Sequence, residues 1–400
     1  MKKTIILILA AFIAGACGLS EVEHNRRPGG EDIWKNPSYK ADSSSTERKR
    51  CYITGLDYPD GYDWRADPEN GTVKCSLVVF ADGIPAMKIP VGHEYHVSPD
   101  PDMHRMIKGH IYTDYSTDEE TVIKKDGEEI FRYGGREMIL GMAVSDGDVY
   151  TLGQPRHGEG FTYRRNGDIL LERDEGYAFP RLQTDDDTLC FAFIEPIETA
   201  EGTVERYYHV RNGKTSQVAV REDVRKVWDV IWHDGTVCYL ATMTGVSSPV
   251  IVNAGKMRAL ELSNGIDMLT SRLISAGKSL GVEAICTYGT TYSSSLWKDG
   301  VKYAQFPKEM TVNGLCTLDD GICCVLNPTA SGSAGTIFRC GESFSMPEGY
   351  AAMGSNPIAM MEGILHVGLS SLEGRKPVIW KDRHIVEMNI NGPLCTLTVD

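Results

Sequence analysis

The chain lacks the local features that most directly announce an activity. It has no CxxC pair, no G-x-S-x-G nucleophile elbow, no H-E-x-x-H pattern and no Walker-type glycine loop. Those gaps remove motif support for zinc ribbons and dithiol redox sites, for serine hydrolases of that type, for zincin peptidases and for P-loop nucleotide hydrolases. Positive charge is also scarce: 41 Lys and Arg stand against 55 Asp and Glu, a formal net charge of −14. An acidic surface repels phosphate backbones, which argues against nucleic acid as a partner. No basic amphipathic stretch would hold the folded body on an anionic membrane. Nothing in the sequence calls for a cofactor.

The longest apolar run comes first. Met1-Lys2-Lys3 is a short positive lead, and residues 4–16 are almost entirely Ile, Leu and Ala. That length suits a signal-peptide core and is too short to span a bilayer. The run ends at Ala14-Gly15-Ala16-Cys17, which resembles the bacterial lipobox, with Ala14 where Leu is usual. The resemblance implies cleavage after residue 16 and a diacylglycerol on Cys17, so that the only membrane contact is the N-terminal lipid. A plain secretory signal cut at the same place, with Cys17 incidental, is the other reading. Gly18 follows rather than the Asp that marks inner-membrane retention in lipoproteins, which implies the outer membrane and leaves the periplasmic or surface face open. Residues 17–50 are polar, with Arg26-Arg27-Pro28-Gly29-Gly30 and Ser43-Ser44-Ser45-Thr46, and read as a flexible lipid-anchored linker.

From residue 51 to 400 one phrase recurs: an apolar β-rich run, a basic residue, Asp or Asn, then Gly. It appears as Ser295-Leu296-Trp297-Lys298-Asp299-Gly300, as Val122-Ile123-Lys124-Lys125-Asp126-Gly127, as Thr162-Tyr163-Arg164-Arg165-Asn166-Gly167 and as Tyr208-His209-Val210-Arg211-Asn212-Gly213. Weaker copies end at Gly83, Gly255, Gly341 (Arg339-Cys340-Gly341) and Arg383. The steps between successive copies are 44, 40, 46, 42, 45, 41 and 42 residues. A period of about 40–45 residues holding only strand patterns is the signature of four-stranded propeller blades. The Asp-Gly or Asn-Gly closing each phrase is the turn of a tight hairpin, because both central residues need positive φ.

Each period therefore reads as four strands: the phrase, a strand after its turn, a third such as Leu315-Cys316-Thr317-Leu318, and a fourth such as Val149-Tyr150-Thr151. Eight copies of phrase and fourth strand predict an all-β propeller of eight four-stranded blades. Seven is the alternative, since residues 95–107 are irregular. The chain stops on a third-strand copy, Leu394-Cys395-Thr396-Leu397, and the body starts on an orphan fourth strand, Cys51-Tyr52-Ile53. Pairing the two closes the ring, the N-terminal strand completing the last blade, and leaves no long exposed edge.

The remaining candidate residues sort by their place in the repeat. Cys190, Cys238, Cys286 and Cys323 share one register, which marks a packing choice. Equivalent positions in different blades lie too far apart for a disulfide. The basic residue of the phrase (Lys125, Arg165, Arg211, Lys298, Arg339, Lys381) recurs too often for a specific site and reads as a solvated charge at the turn end of an inner strand. Trp297 and Trp380 read as inter-blade packing. His93, His96, His104 and His110 crowd one segment with Glu94, Asp100 and Asp102; His93 and His96 are weak metal candidates beside the reading of chance clustering on a loop. Tight turns fall at one end of the ring. The longer connections, at 57–72, 90–103, 154–160, 195–204, 328–335 and 370–376, fall at the other, where rigid rings place recognition. Tyr62, Trp64, Tyr133, Tyr177, Trp228, Tyr292 and Tyr350 lie in or beside them, as ligand-binding candidates or as caps on the blade cores.

The Trp-Lys-Asp-Gly phrase, its period and the lipobox together resemble the uncharacterised β-propeller lipoproteins of Bacteroidota-type Gram-negative bacteria. The resemblance covers residues 51–400 and the leader, and that family brings no catalytic motif to carry over. WD, kelch, YWTD and Asp-box repeats are not seen. The expectation is an envelope-anchored outer-membrane lipoprotein that binds a glycan or an envelope protein. The alternatives are a polysaccharide-cleaving glycosidase or lyase on the same ring, needing only two placed carboxylates, and a structural subunit of a surface complex.

Overall fold

The computed structural model describes residues 50–400, apart from 65–74, 92–103 and short breaks at 118, 156–158, 186–187, 201, 219, 263–266, 289–290, 309, 319–320, 330–333, 353, 355, 383 and 400. Cys17, His93 and His96 lie outside the described residues. What is described is strand throughout, in eight antiparallel sheets. Blade 1 joins Leu394–Val399, Cys51–Asp57, Cys75–Ala81 and Ile84–Val91 in that order. Blades 2 to 8 follow along the chain at 104–134, 137–173, 177–217, 224–259, 267–305, 310–345 and 350–387.

The first strand of each sheet faces the axis and the fourth faces solvent. Outer strands such as Lys256–Ala259 and His384–Glu387 are exposed at every position, whereas the second and third strands of blade 5, Thr236–Met243 and Val250–Asn253, have no exposed position. The phrase is accordingly the third strand of a blade and not an inner one. Each sequence period straddles two blades, contributing the outer half of one and the inner half of the next. A period alone does not reveal where one blade ends, and the frame is set by which strands hydrogen-bond.

Closure follows the expected pairing, with Cys51 opposite Val399 and Ile53 opposite Leu397. In the sheet frame, the C-terminal strand is the innermost strand of the blade whose other three strands come first in the chain. Thr54 Oγ1 lies 2.9 Å from Thr396 Oγ1 and accepts the Thr396 N–H at 3.1 Å. Asp57 extends the seam by accepting the Asn391 N–H at 2.8 Å.

Apolar side chains gather between blades. There are eight buried clusters, one for each neighbouring pair of blades, including the pair made by closure, where Ile53 and Leu397 meet Ile379 and Ile390. Trp297 and Trp380 sit in two of them. The repeated cysteines do as their register implies: Cys190, Cys238, Cys286 and Cys323 are buried, and burial pushes the Cys238 and Cys286 thiols up to about 11.

The phrase carries a second function that its spacing does not reveal. The turn residues Asp82, Asp126, Asn166, Asn212, Asp299 and Asp382 have positive φ. Each also turns a side-chain oxygen onto an N–H in the first two residues of the second strand, on Cys51, Ile111, Val149, Leu189, Leu280 and Leu365, at 2.9–3.2 Å. Only Asp and Asn combine tolerance of left-handed backbone with an acceptor at that reach. Several outer strands hold an extra residue beside this turn, for example opposite Tyr163/Arg164 and Ile123/Lys124. Such bulges twist an exposed edge away from pairing with another chain.

Blades are also joined by buried charge. Asp229 on blade 5 accepts Arg181 of blade 4 at 2.7 Å and the Leu273 N–H of blade 6 at 2.6 Å, while Arg181 donates to Leu273 O at 3.0 Å. Burial pushes the Asp229 carboxyl up, opposed by Arg181 and two backbone amides. Asp229→Ala takes the carboxylate partner from Arg181, which keeps only Leu273 O, and the acceptor from the Leu273 amide. It should destabilise by about 3–5 kcal/mol in urea denaturation, with Asp229→Asn losing less.

His104, fully buried on the inner strand of blade 2, is held down at about 4, first by burial and then by Arg105. The unfolded ring titrates at its ordinary 6.5, so the unfolded state takes up the proton first as pH falls. Stability should therefore drop between pH 6.5 and 4 at about 1.4 kcal/mol per pH unit from this group. His104→Leu should remove that part of the slope in denaturation curves recorded across the window.

Candidate functional site

At the tight-turn end six blades share one clamped turn. Among the described residues the blades differ more at the opposite end, and there blade 4 differs most. Its second strand, Thr188–Thr199, and third strand, Gly202–Arg211, are longer than those of its neighbours and pair from Cys190↔Arg211 out to Thr199↔Gly202. Residues 195–199 and 202–204, read as part of an inserted loop, thus continue these two strands as a longer hairpin of the same sheet. Thr199 Oγ1 closes its tip by donating to Gly202 O at 2.6 Å, and Thr203 Oγ1 donates to Glu198 at 2.7 Å.

A cluster forms at the foot of this hairpin, across the boundary with blade 5. Tyr177 opens the inner strand of blade 4, pairs with Ile194, and remains 45% exposed, with its ring 6.4 Å from Phe179. Glu205 on the hairpin accepts the Tyr207 hydroxyl at 2.8 Å, and that hydroxyl accepts the Val227 N–H at 3.3 Å. Lys226, exposed on the inner strand of blade 5, lays its ammonium 3.5 Å from the Trp228 ring centroid. Trp228 sits where the inner strand bulges, packs toward blade 6 against the core between blades 5 and 6, and donates Nε1–H to Thr242 Oγ1 at 2.8 Å. The Tyr177 phenol is pushed up to about 12, by burial of its polar end and then by the Glu205 charge. Burial lowers Lys226, and Glu205 partly offsets that. An open aromatic face, a carboxylate and an ammonium therefore converge on one patch.

The other aromatic candidates have different surroundings. Tyr62 and Trp64 lie half-buried against the core between blades 1 and 2, with Tyr62 5.3 Å from Tyr58. Blade 1 stands four blades from blade 5, so the ring separates this pair from Tyr177 and Trp228. Tyr133 is half-buried under the Arg164 guanidinium, 4.1 Å from its ring, where burial and then Glu137 push its phenol up. Its place is structural, since Arg164 also pairs with buried Glu137 at 2.9 Å. Tyr292 is half-buried in the third strand of blade 6, opposite Thr287. Tyr350 donates to Lys376 O at 3.1 Å under Arg375.

The basic residues of the phrase are engaged more closely than a solvated charge would be. Arg165 pairs with Asp148, Arg339 with Asp382 of the next blade at 2.7 Å, and Arg211 lies 4.5 Å from the Trp232 ring. Glu205, Tyr207 and Lys226 were not legible as site residues. The one available signal was the length of the 188–211 hairpin.

No protein-family model matches the chain, and no curated protein does. Among solved structures 135 chains match. The β-propeller domain of the Trilobed protease from Pyrococcus furiosus is 11% identical with a TM-score of 0.43, over 69% of this chain and 88% of that one. The dihydro-heme d1 dehydrogenase NirN is 9% identical at 0.47, over 86% and 74%. A prolyl endopeptidase is 12% identical at 0.47, over 80% of this chain and 55% of its own length. Likenesses this distant assign no activity.

Glu205 raises the Tyr177 phenol as the second of two causes. Glu205→Gln should therefore bring its ionisation only part of the way back toward 10, as followed by NMR of ring-labelled tyrosine against pH.

Proposed function

We propose that this chain is an envelope-anchored lipoprotein whose propeller binds a glycan, at the blade 4–blade 5 patch of Tyr177, Glu205 and Lys226. The observation that carries the reading is the exposed ring of Tyr177 beside a carboxylate and an ammonium at the variable end of the ring. Sugar rings offer an apolar face to stack on an aromatic and hydroxyls that both donate and accept hydrogen bonds. Glu205 accepts and Lys226 donates, so together they serve both hydroxyl roles. Phe179 and the hairpin strands hold Tyr177 from behind, which keeps the ordering penalty of binding small. The lipid on Cys17 supplies attachment, and the polar residues 17–50 supply reach.

The test is a glycan array with residues 50–400, followed by affinity measurements on Tyr177→Ala and Glu205→Gln, with Tyr62→Ala as a control on the far side of the ring. Loss of one stacking ring should weaken binding about threefold to tenfold, and Tyr62→Ala should leave it unchanged. Retention of an envelope protein with no glycan bound would replace the ligand class. Shortening of a bound glycan over hours would make the chain an enzyme. Cys17→Ser in the full-length chain should move it from the detergent phase to the aqueous phase.

A further inference from the structure

Blade 7 departs from the clamp that six other blades share. Where they carry Asp or Asn at the first turn position, it carries Cys340, with positive φ of 46° and an exposed side chain. The backbone half of the clamp survives, since the Cys340 N–H donates to Ile322 O at 3.3 Å. In place of the side-chain half, Cys340 Sγ lies 3.3 Å from Sγ of Cys323 on the adjacent strand. That is closer than two unbonded sulfurs rest without attraction.

Two further features are particular to this blade. Gly321 opens the second strand, where blades 3, 4, 5, 6 and 8 have Asp148, Thr188, Thr236, Ser279 and Ile364. A Cβ at Gly321 would fall 2.5 Å from Cys340 Sγ, so the missing side chain is what admits the thiol. A third thiol, Cys316, stands directly opposite Cys323 on the inner strand. Cys324 belongs to the core on the other face of the sheet and takes no part.

We infer that blade 7 holds an oxidisable dithiol, in which Cys340 and Cys323 form a disulfide with a thiol–disulfide oxidant, replacing by a covalent bond the clamp that six other blades make by hydrogen bond. Cys340 is the entry point, because it is exposed while Cys323 is buried. The Cys340 thiolate attacks one sulfur of the oxidant RS–SR and releases RS⁻, giving a mixed disulfide. Cys323 gives up its proton, which leaves with the released thiolate as RSH, and its sulfur attacks that of Cys340. The second RS⁻ departs and takes up the proton Cys340 lost on ionising. Two protein thiols and one RS–SR thus become one protein disulfide and two RSH. The hydrogen bond with Cys316, followed by burial, holds the Cys323 thiol well above its ordinary range, so Cys323 acts second and only on a sulfur already placed against it.

The experiment incubates the full chain with oxidised glutathione and maps it by non-reducing tryptic mass spectrometry. Cleavage after Arg339 separates Cys340 from Cys316, Cys323 and Cys324, so the proposed bond joins two tryptic peptides, whereas a Cys316–Cys323 bond stays within one. The expected result is that cross-linked pair, lighter by two hydrogens than the sum of its reduced peptides, retained in Cys324→Ala and absent in Cys340→Ser. Oxidation should also raise the urea midpoint of the wild-type chain. Cys340→Asp, which restores the hydrogen-bonded clamp, should unfold at the same midpoint with and without oxidant. Cys340 ending only as a glutathione adduct, staying fully alkylatable, or linking to Cys324 or Cys316 would overturn the assignment.

Discussion

Everything in this molecule depends on the seam where the last strand of the chain meets the first. Thr54 and Thr396 are 342 residues apart and touch through their hydroxyls. Bringing together chain ends that distant costs about 5 kcal/mol of loop entropy on the logarithmic law. The seam also buries Ile53, Leu56, Leu394 and Leu397, each worth about 1.5–3 kcal/mol. Burial therefore outweighs closure, and the ring holds without a covalent tie across the seam. Without that pairing the cluster between blades 8 and 1 has no second wall, and two inner sheet faces open to water.

Closure also explains why the two ends of the ring have such different characters. At the tight-turn end each blade must present the same short hairpin, so one residue serves several demands at once. Asp126, for example, adopts left-handed backbone, returns its own N–H to Ile111 O and accepts the Ile111 N–H. At the other end the connections carry no such shared constraint. Blade 4 has used that freedom to extend its hairpin to Thr199 and Gly202, and in doing so brings the Glu205 charge within electrostatic reach of Tyr177 and Lys226.

Much of this was legible in the sequence, and the reasons for the rest are physical. Period, turn type and closure were readable because they act through local residue type: a glycine after Asp or Asn, and copies of one strand at the two ends. The blade frame was not, because a cyclic repeat has the same period wherever it is cut. The 195–204 hairpin was hidden by Pro196, which argues against a strand interior. Beyond Ile194 that strand has lost its inner neighbour at Tyr177, so the missing N–H deprives no partner on that side. Glu205 and Lys226 sit in different blades with no spacing in common, and only the ring brings them together. Among the aromatics, Tyr177 and Tyr133 look alike in sequence; a buried Arg164–Glu137 pair beside Tyr133 separates their roles.

The charge arrangement narrows what suits the patch. The chain carries −14 overall, but screening at physiological salt acts within about 8 Å, so the local groups decide. Locally, Lys226 is balanced by Glu205 and lies on the Trp228 ring. A polyanion would meet the Glu205 charge near that ammonium, and would approach an acidic surface to reach it. A cationic ligand would find Glu205 already accepting the Tyr207 hydroxyl. An uncharged polyol with a flat apolar face meets neither penalty, since it uses the open ring of Tyr177 and the remaining hydrogen-bonding positions of both charged groups. On the glycan reading, neutral sugars are therefore a better match to this patch than acidic ones.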